Sequence, residues 1–138
     1  MLFAIDIDGV LANSYQAFMN YYNKDLGLGL TVDIIAQCAD YEQLFALPQV
    51  QSYPSYRQNV YESHQRARVI PEIYLDCVAF PASQEGVRLL TTHGRIGYYT
   101  VRAPHLHDVT AQWLSSQHFP LADVTCCKNI LRKYAALY

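Results

Sequence analysis

Leu2-Phe3-Ala4-Ile5-Asp6-Ile7 opens the chain as a short apolar run that stops at Asp8-Gly9. A run of this character, closed by a turn-forming pair, reads as a strand buried on both faces, as in parallel sheets, followed by its exit turn. An aspartate inside such a strand is the unusual part: Asp6 sits between Ile5 and Ile7, and a second carboxylate follows at Asp8. Alternate strand positions share a face, and an exit turn can swing the second carboxylate toward the first. Two carboxylates held together repel unless a proton or cation separates them. A hard divalent cation with oxygen ligands is the natural partner, and Mg²⁺ is the usual one where phosphate is also present. The plainer alternative, that both aspartates merely cap a strand end, fits poorly with the apolar flanks of Asp6.

Helical patterns follow. One runs from about Asn13 to Asp25, with Asn13 or Ser14 as N-cap and Gly27 and Gly29 as stop signals. Thr31 and Asp40 are placed to cap two short helices, the second ending before Pro48. A longer helix is expected from about Pro54 to Arg68, with Tyr56, Val60, Ser63 and Ala67 on one face. Beside that face, Arg57, Tyr61, His64 and Arg68 fall at i, i+4, i+7 and i+11. Such a stripe can hold a second phosphate, a carboxylate or a stacked base through guanidinium contacts, although an ordinary solvent-facing stripe has the same spacing. Residues 12 to about 82 thus read as wholly helical.

Beyond them the pattern alternates. A helix capped by Ser83 is followed by a strand over Arg95-Ile96-Gly97-Tyr98-Tyr99, a helix from about His105 to Gln117, a short strand near Asp123 to Cys127, and a last helix from Asn129. This alternation calls for right-handed crossovers and a parallel sheet, so the expected class is α/β with a helical insertion after the first strand. Ligands of such sheets bind beyond the carboxyl ends of the strands, where Asp6, Thr100 and Lys128 all fall.

Composition narrows the function. With 138 residues, 51% hydrophobic and 16% charged, the chain can bury a core and lacks the signature of a disordered tail. A formal net charge of -2 supplies no global basic field, so neither a nucleic acid polymer nor an anionic membrane is an expected partner. No stretch approaches the roughly 18 apolar residues of a membrane span. Cys38, Cys77, Cys126 and Cys127 contain no C-x-x-C pair and read as reduced, buried residues of a cytoplasmic protein. Twelve tyrosines suggest a large aromatic core. His105 and His107 lack nearby acids or a third ligand and read as helix-start polarity rather than a metal site.

Asp6-Ile7-Asp8-Gly9-Val10-Leu11 resembles the first motif, D-x-D-G-x-L, of the haloacid dehalogenase superfamily, most of whose members are phosphatases. The family's second motif, an apolar strand ending in Thr or Ser, is matched by Ile96-Gly97-Tyr98-Tyr99-Thr100, with Arg102 giving the T-x-R ending of several nucleotidase-like members. Its third, a lysine after a further strand, is matched by Lys128. The resemblance implies a Rossmann-like parallel sheet core, residues 1–11 and 83–138, with residues 12–82 as a helical cap inserted after the first strand. It also implies a Mg²⁺-dependent phosphatase of a small phosphorylated metabolite. The residue matching Asp6 is then the nucleophile that forms an aspartyl-phosphate, and the residue matching Asp8 is the general acid and base. Asp6 and Asp8 would hold the metal, the latter through its backbone carbonyl. Thr100 would donate to phosphoryl oxygens, Lys128 would neutralise charge, and Arg102 would contact the substrate.

The family's fourth motif, an acidic group on a further strand beside the first, has no counterpart after Asp123; Asp123 falls at the wrong end of its strand and Asp108 in the first turn of a helix. The expectation is an incomplete metal site and an uncovered edge on the first strand: either the chain is a truncated form of a longer protein, or another chain or segment covers that edge, homo-oligomeric association being one way. Phosphoryl transfer of the mutase kind, and a non-catalytic binding module descended from an enzyme, are the competing readings.

Overall fold

The computed structural model describes residues 1–127 and Asn129. Lys128 and the last expected helix therefore lie outside the described residues. In chain order the elements are β1 (Leu2–Asp6), α1 (Ser14–Leu26), α2 (Val32–Gln37), α3 (Tyr41–Phe45), α4 (Pro48–Gln51), α5 (Tyr56–Ala67), α6 (Pro71–Leu75), α7 (Ser83–His93), β2 (Arg95–Thr100), a 3-10 turn at Pro104–Leu106, α8 (His107–Ser116) and β3 (Val124–Cys126). They form two compact units, Met1–Asn13 with Cys77–Tyr138, and Ser14–Asp76.

The first unit is built on a parallel sheet of order β1-β2-β3. Its register sets Leu2 opposite Arg95 and Asp6 opposite Tyr99, while Thr100 stands opposite Cys126, so the carboxyl ends of the strands come together. Ile5, Ile7 and Tyr98 are buried from the sheet, and Leu106, Trp113, Leu114 and Phe119 from the segment that follows β2. The indole of Trp113, fully buried, donates to the Cys77 carbonyl at 2.8 Å, so its one polar atom is satisfied while the ring fills the core.

Local chemistry explains two departures from the sequence pattern. Ser83 is the first residue of α7 rather than its cap, and its hydroxyl donates to the Phe80 carbonyl at 2.7 Å; the cap position is Ala82, in the left-handed region at φ 62°. The expected helix through residue 82 stops at Leu75, because Val78–Phe80 runs extended: Asn13 N donates to the Val78 carbonyl and Phe80 N to the Leu11 carbonyl, both at 2.8 Å. Pro81 favours this, since the residue before a proline is driven away from helical dihedrals. Gly94 ends α7 at extended backbone, and a Cβ there would stand 2.6 Å from the Met1 carbonyl oxygen, so the close approach of the two segments requires a glycine.

In the second unit α1 packs on α5: Phe18, Met19 and Tyr22 are buried from α1, and Val60, Ser63 and Ala67, three of the four residues expected on one face, from α5. Asp25 ties the pair, accepting from Ser63 Oγ at 2.6 Å and from Arg66 Nη2 at 2.5 Å. The Ser63 hydrogen bond, with help from Arg66, holds the Asp25 carboxyl below the usual carboxylate range against the opposing effect of burial. Thr31 and Asp40 cap α2 and α3 as expected, accepting from Ile34 N and Gln43 N. Pro48 does more than stop a helix, since it opens α4 at a position where its missing N–H has no partner to lose. Phe18, Tyr22, Tyr41, Tyr74 and His64 form the aromatic cluster that the tyrosine content foreshadowed.

Candidate active site

β1 delivers Asp6 to the end of the sheet, where its Oδ1 accepts from Ile7 N at 2.8 Å. The chain then turns back sharply: the Ile7 carbonyl accepts from Val10, Leu11 and Ala12 N at 3.3, 2.8 and 2.9 Å. Gly9 takes φ 77° in this turn, a left-handed conformation that any side chain would strain. The turn carries the Asp8 carboxylate to the end of β2. There Thr100 Oγ1 donates to Asp8 Oδ2 at 3.0 Å.

Arg102 completes the cluster. Its Nη2 donates to Asp8 Oδ1 at 2.7 Å and its Nε to Asp8 Oδ2 at 3.0 Å, a two-point fork on the carboxylate. The arginine side chain is 1% exposed, whereas that of Asp8 is 30% exposed. Its remaining terminal nitrogen, Nη1, donates to Thr110 Oγ1 at 3.2 Å, and that hydroxyl donates to the Leu106 carbonyl at 2.7 Å. Thr110 is fully buried on the inner face of α8. Half-buried Cys126, at the end of β3, lies against the same group, and burial pushes its thiol up despite a hydrogen bond to Thr110 and the charge of Arg102. Among the described residues no buried side-chain nitrogen or oxygen is left without a hydrogen bond.

Asp8, Thr100 and Arg102 therefore meet at the carboxyl end of β2, and Asp6 ends the adjacent β1. Arg102, expected from the T-x-R spacing to contact substrate, turns its guanidinium inward onto Asp8. Thr110 and Cys126 were not foreseen: a threonine on a helix and a cysteine at a strand end carry no spacing signal of their own. Arg57, Tyr61, His64 and Arg68 belong to the second unit. The first three line a cavity of about 320 Å³ with Tyr22, Tyr41, Phe45 and Val60. Arg57 lies 4.9 Å from the Phe45 ring centroid and 3.7 Å from Glu42. His64 is drawn inward, its Nδ1 at 2.6 Å from the Tyr22 hydroxyl. Arg68 caps the end of α5 and donates to Gln65 Oε1 at 3.2 Å.

No group of three or more His, Cys, Asp and Glu side chains is arranged for a metal ion among the described residues. The donors nevertheless suit a hard cation. Asp6 supplies carboxylate oxygen, and because the Asp8 carboxylate is engaged by Arg102 and Thr100, the Asp8 main-chain oxygen is the donor that residue has left to offer. Mg²⁺ characteristically takes one or two carboxylates and keeps several waters or phosphate oxygens.

A parallel sheet with aspartates at the carboxyl end of its first strand, and helices inserted in sequence after that strand, fits the haloacid dehalogenase-like fold. The family model described as 5′ nucleotidase, deoxy (pyrimidine), cytosolic type C protein (NT5C) matches residues 1–133, and the chain belongs to that family. Among solved structures, a hydrolase from Streptococcus pneumoniae TIGR4 is similar at 12% identity with a TM-score of 0.51, over 91% of this chain and 65% of that one. A haloacid dehalogenase-superfamily hydrolase, subfamily IA, variant 1, from Geobacter sulfurreducens PCA matches at 18% identity with a TM-score of 0.47, over 89% and 61%. The chain thus spans less than two thirds of either structure's length. The comparison with curated proteins found no match.

Proposed function

We propose that this protein is a Mg²⁺-dependent phosphoric monoester hydrolase acting on a small phosphorylated metabolite, a pyrimidine deoxynucleoside 5′-monophosphate being the first to try. The observation that supports the reading is the Thr100–Asp8 hydrogen bond at the end of β2, with Asp6 ending the neighbouring β1, within a chain of a nucleotidase family. Asp6 attacks phosphorus through a carboxylate oxygen, and the bond from phosphorus to the leaving oxygen breaks. The leaving oxygen takes the proton of the Asp8 carboxyl. Water then bonds to phosphorus and returns its proton to Asp8, and Asp6 departs as a carboxylate with inorganic phosphate released. Lys128 contributes a positive charge, and Thr100 acts through the hydrogen bond its hydroxyl gives to Asp8. The Asp6 carboxylate and the Asp8 carbonyl would hold Mg²⁺, which would neutralise phosphoryl charge.

In the second unit, Arg57, Tyr61 and His64 offer a planar ring or an anionic group the aromatic and cationic contacts of their cavity, with Arg68 at the end of the same helix. A cytoplasmic setting belongs to the same reading; among the described residues no helix is long and apolar enough to cross a membrane. Self-association through the outer edge of β1 belongs to the same proposal, since that strand pairs only with β2 among the described residues.

The test is release of phosphate from a pyrimidine deoxynucleoside 5′-monophosphate and from p-nitrophenyl phosphate, with Mg²⁺ present. Asp6→Asn keeps the side-chain shape and should abolish turnover of both with the circular dichroism spectrum unchanged. Wild-type turnover in that variant, with contaminating phosphatase excluded, would refute the mechanism.

A further inference from the structure

Burial of a guanidinium is expensive, and removing its partner leaves a charge stranded. Arg102 is nevertheless 1% exposed at its side chain, while a residue that reached a phosphoryl group would have to meet solvent-borne substrate. Its surroundings hold it from two sides. Thr110 accepts from Nη1 and is itself tied to the Leu106 carbonyl, and the Arg102 main-chain N–H donates to Thr100 Oγ1 at 3.3 Å. Nε and Nη2 then present a rigid fork to Asp8, one nitrogen to each oxygen. A fork of this kind fixes the plane of a carboxylate as well as its position, which a point charge cannot do.

We infer that Arg102 is a positioning residue for Asp8, setting the carboxyl plane from which the proton passes to the leaving oxygen, and that it makes no contact with the phosphoryl group. Thr110 is the anchor that keeps the fork in place. The inference rests on the reading of Asp8 as general acid. Its consequence is selective. When the phosphorus–oxygen bond breaks, an alkoxide or nucleoside leaving oxygen must take the Asp8 proton, whereas p-nitrophenolate departs without one. Misplacing Asp8 therefore harms alkyl esters and spares the aryl ester, while a loss of fold or of phosphate binding harms both alike.

The experiment measures kcat/KM, which covers the steps through departure of the leaving group, for an alkyl phosphate and for p-nitrophenyl phosphate. Asp8→Asn, Arg102→Lys and Thr110→Val are compared with wild type. Thr110→Val is nearly isosteric and guards against an Arg102 variant that does not fold. Arg102→Lys should lower kcat/KM for the alkyl ester at least ten times more than for the aryl ester. Thr110→Val should act in the same direction by about threefold, and neither change should lower activity further in the Asp8→Asn background. Inhibition by inorganic phosphate should be unaltered in both variants. Equal losses on the two esters, or weakened phosphate inhibition, would overturn the inference while leaving the role of Asp8 standing. If Asp8→Asn itself treats the two esters alike, the acid role of Asp8 falls and the positioning role with it.

Discussion

Thr100 and Asp8 stand 92 positions apart in the chain and share a hydrogen bond of 3.0 Å. The threonine hydroxyl donates to the aspartate and accepts from Arg102 N, so it closes the cluster from within a fully buried position. Thr100→Val keeps the shape and removes both functions, leaving a main-chain N–H and a carboxylate oxygen each one partner short. The expected loss is about 1–3 kcal/mol in urea unfolding, with turnover reduced further than stability alone accounts for. At this scale the sequence was informative wherever the backbone itself aims the group. Asp6 and Thr100 end strands whose register is set by apolar runs, and Asp8 opens a turn announced by Gly9. The direction of Arg102 was not readable, because a long side chain goes where burial and partners send it, and Thr110 lies on a different element. His64 likewise read as part of a stripe, yet its ring packs at 4.9 Å from Phe18.

Helix α7 carries a paired experiment in two glycines. Gly86 lies within the helix with open space where a Cβ would project, so Gly86→Ala should stabilise the protein by about 0.5–1 kcal/mol. Gly94 ends the same helix against the Met1 carbonyl, and Gly94→Ala should destabilise it by displacing the start of β1. Opposite shifts of the thermal midpoint are the expected result. Helix α5 carries a pH dependence. Burial, and next the charge of Arg68, lower the His64 pKa below its ordinary 6.5. The unfolded chain therefore binds the proton more readily, so the contribution of neutral His64 is fully present above about pH 6.5 and is lost as the pH falls below it. Urea midpoints should drop between about pH 7.5 and 5.5, and His64→Gln should flatten that drop. Helices were legible here through their apolar spacing and caps. The extended passage at Val78–Phe80 was not, because its pairing with Leu11 and Asn13 is a tertiary contact that local periodicity does not encode.

Across the whole molecule, the single tryptophan, Trp113, is fully buried in the first unit, while eight of the twelve tyrosines fall within residues 14–76. Tryptophan emission and tyrosine near-ultraviolet dichroism thus watch different units. Gly86→Ala should move the former midpoint upward, and the pH effect at His64 should register first in the latter. The chain leaves the first unit at Asn13 and re-enters it at Cys77, so the second unit is contiguous in sequence and the first is not. That arrangement matters most during synthesis. β1 is translated well before its neighbour β2, which begins only at Arg95, a delay on the order of ten seconds at ribosomal speeds. Throughout it, an apolar strand waits with unpaired backbone groups, open to a holding chaperone, while the residues of the second unit emerge in one uninterrupted stretch. A protease pulse on stalled nascent chains should find Ser14–Asp76 protected at lengths where the segment around Asp6 is still cut.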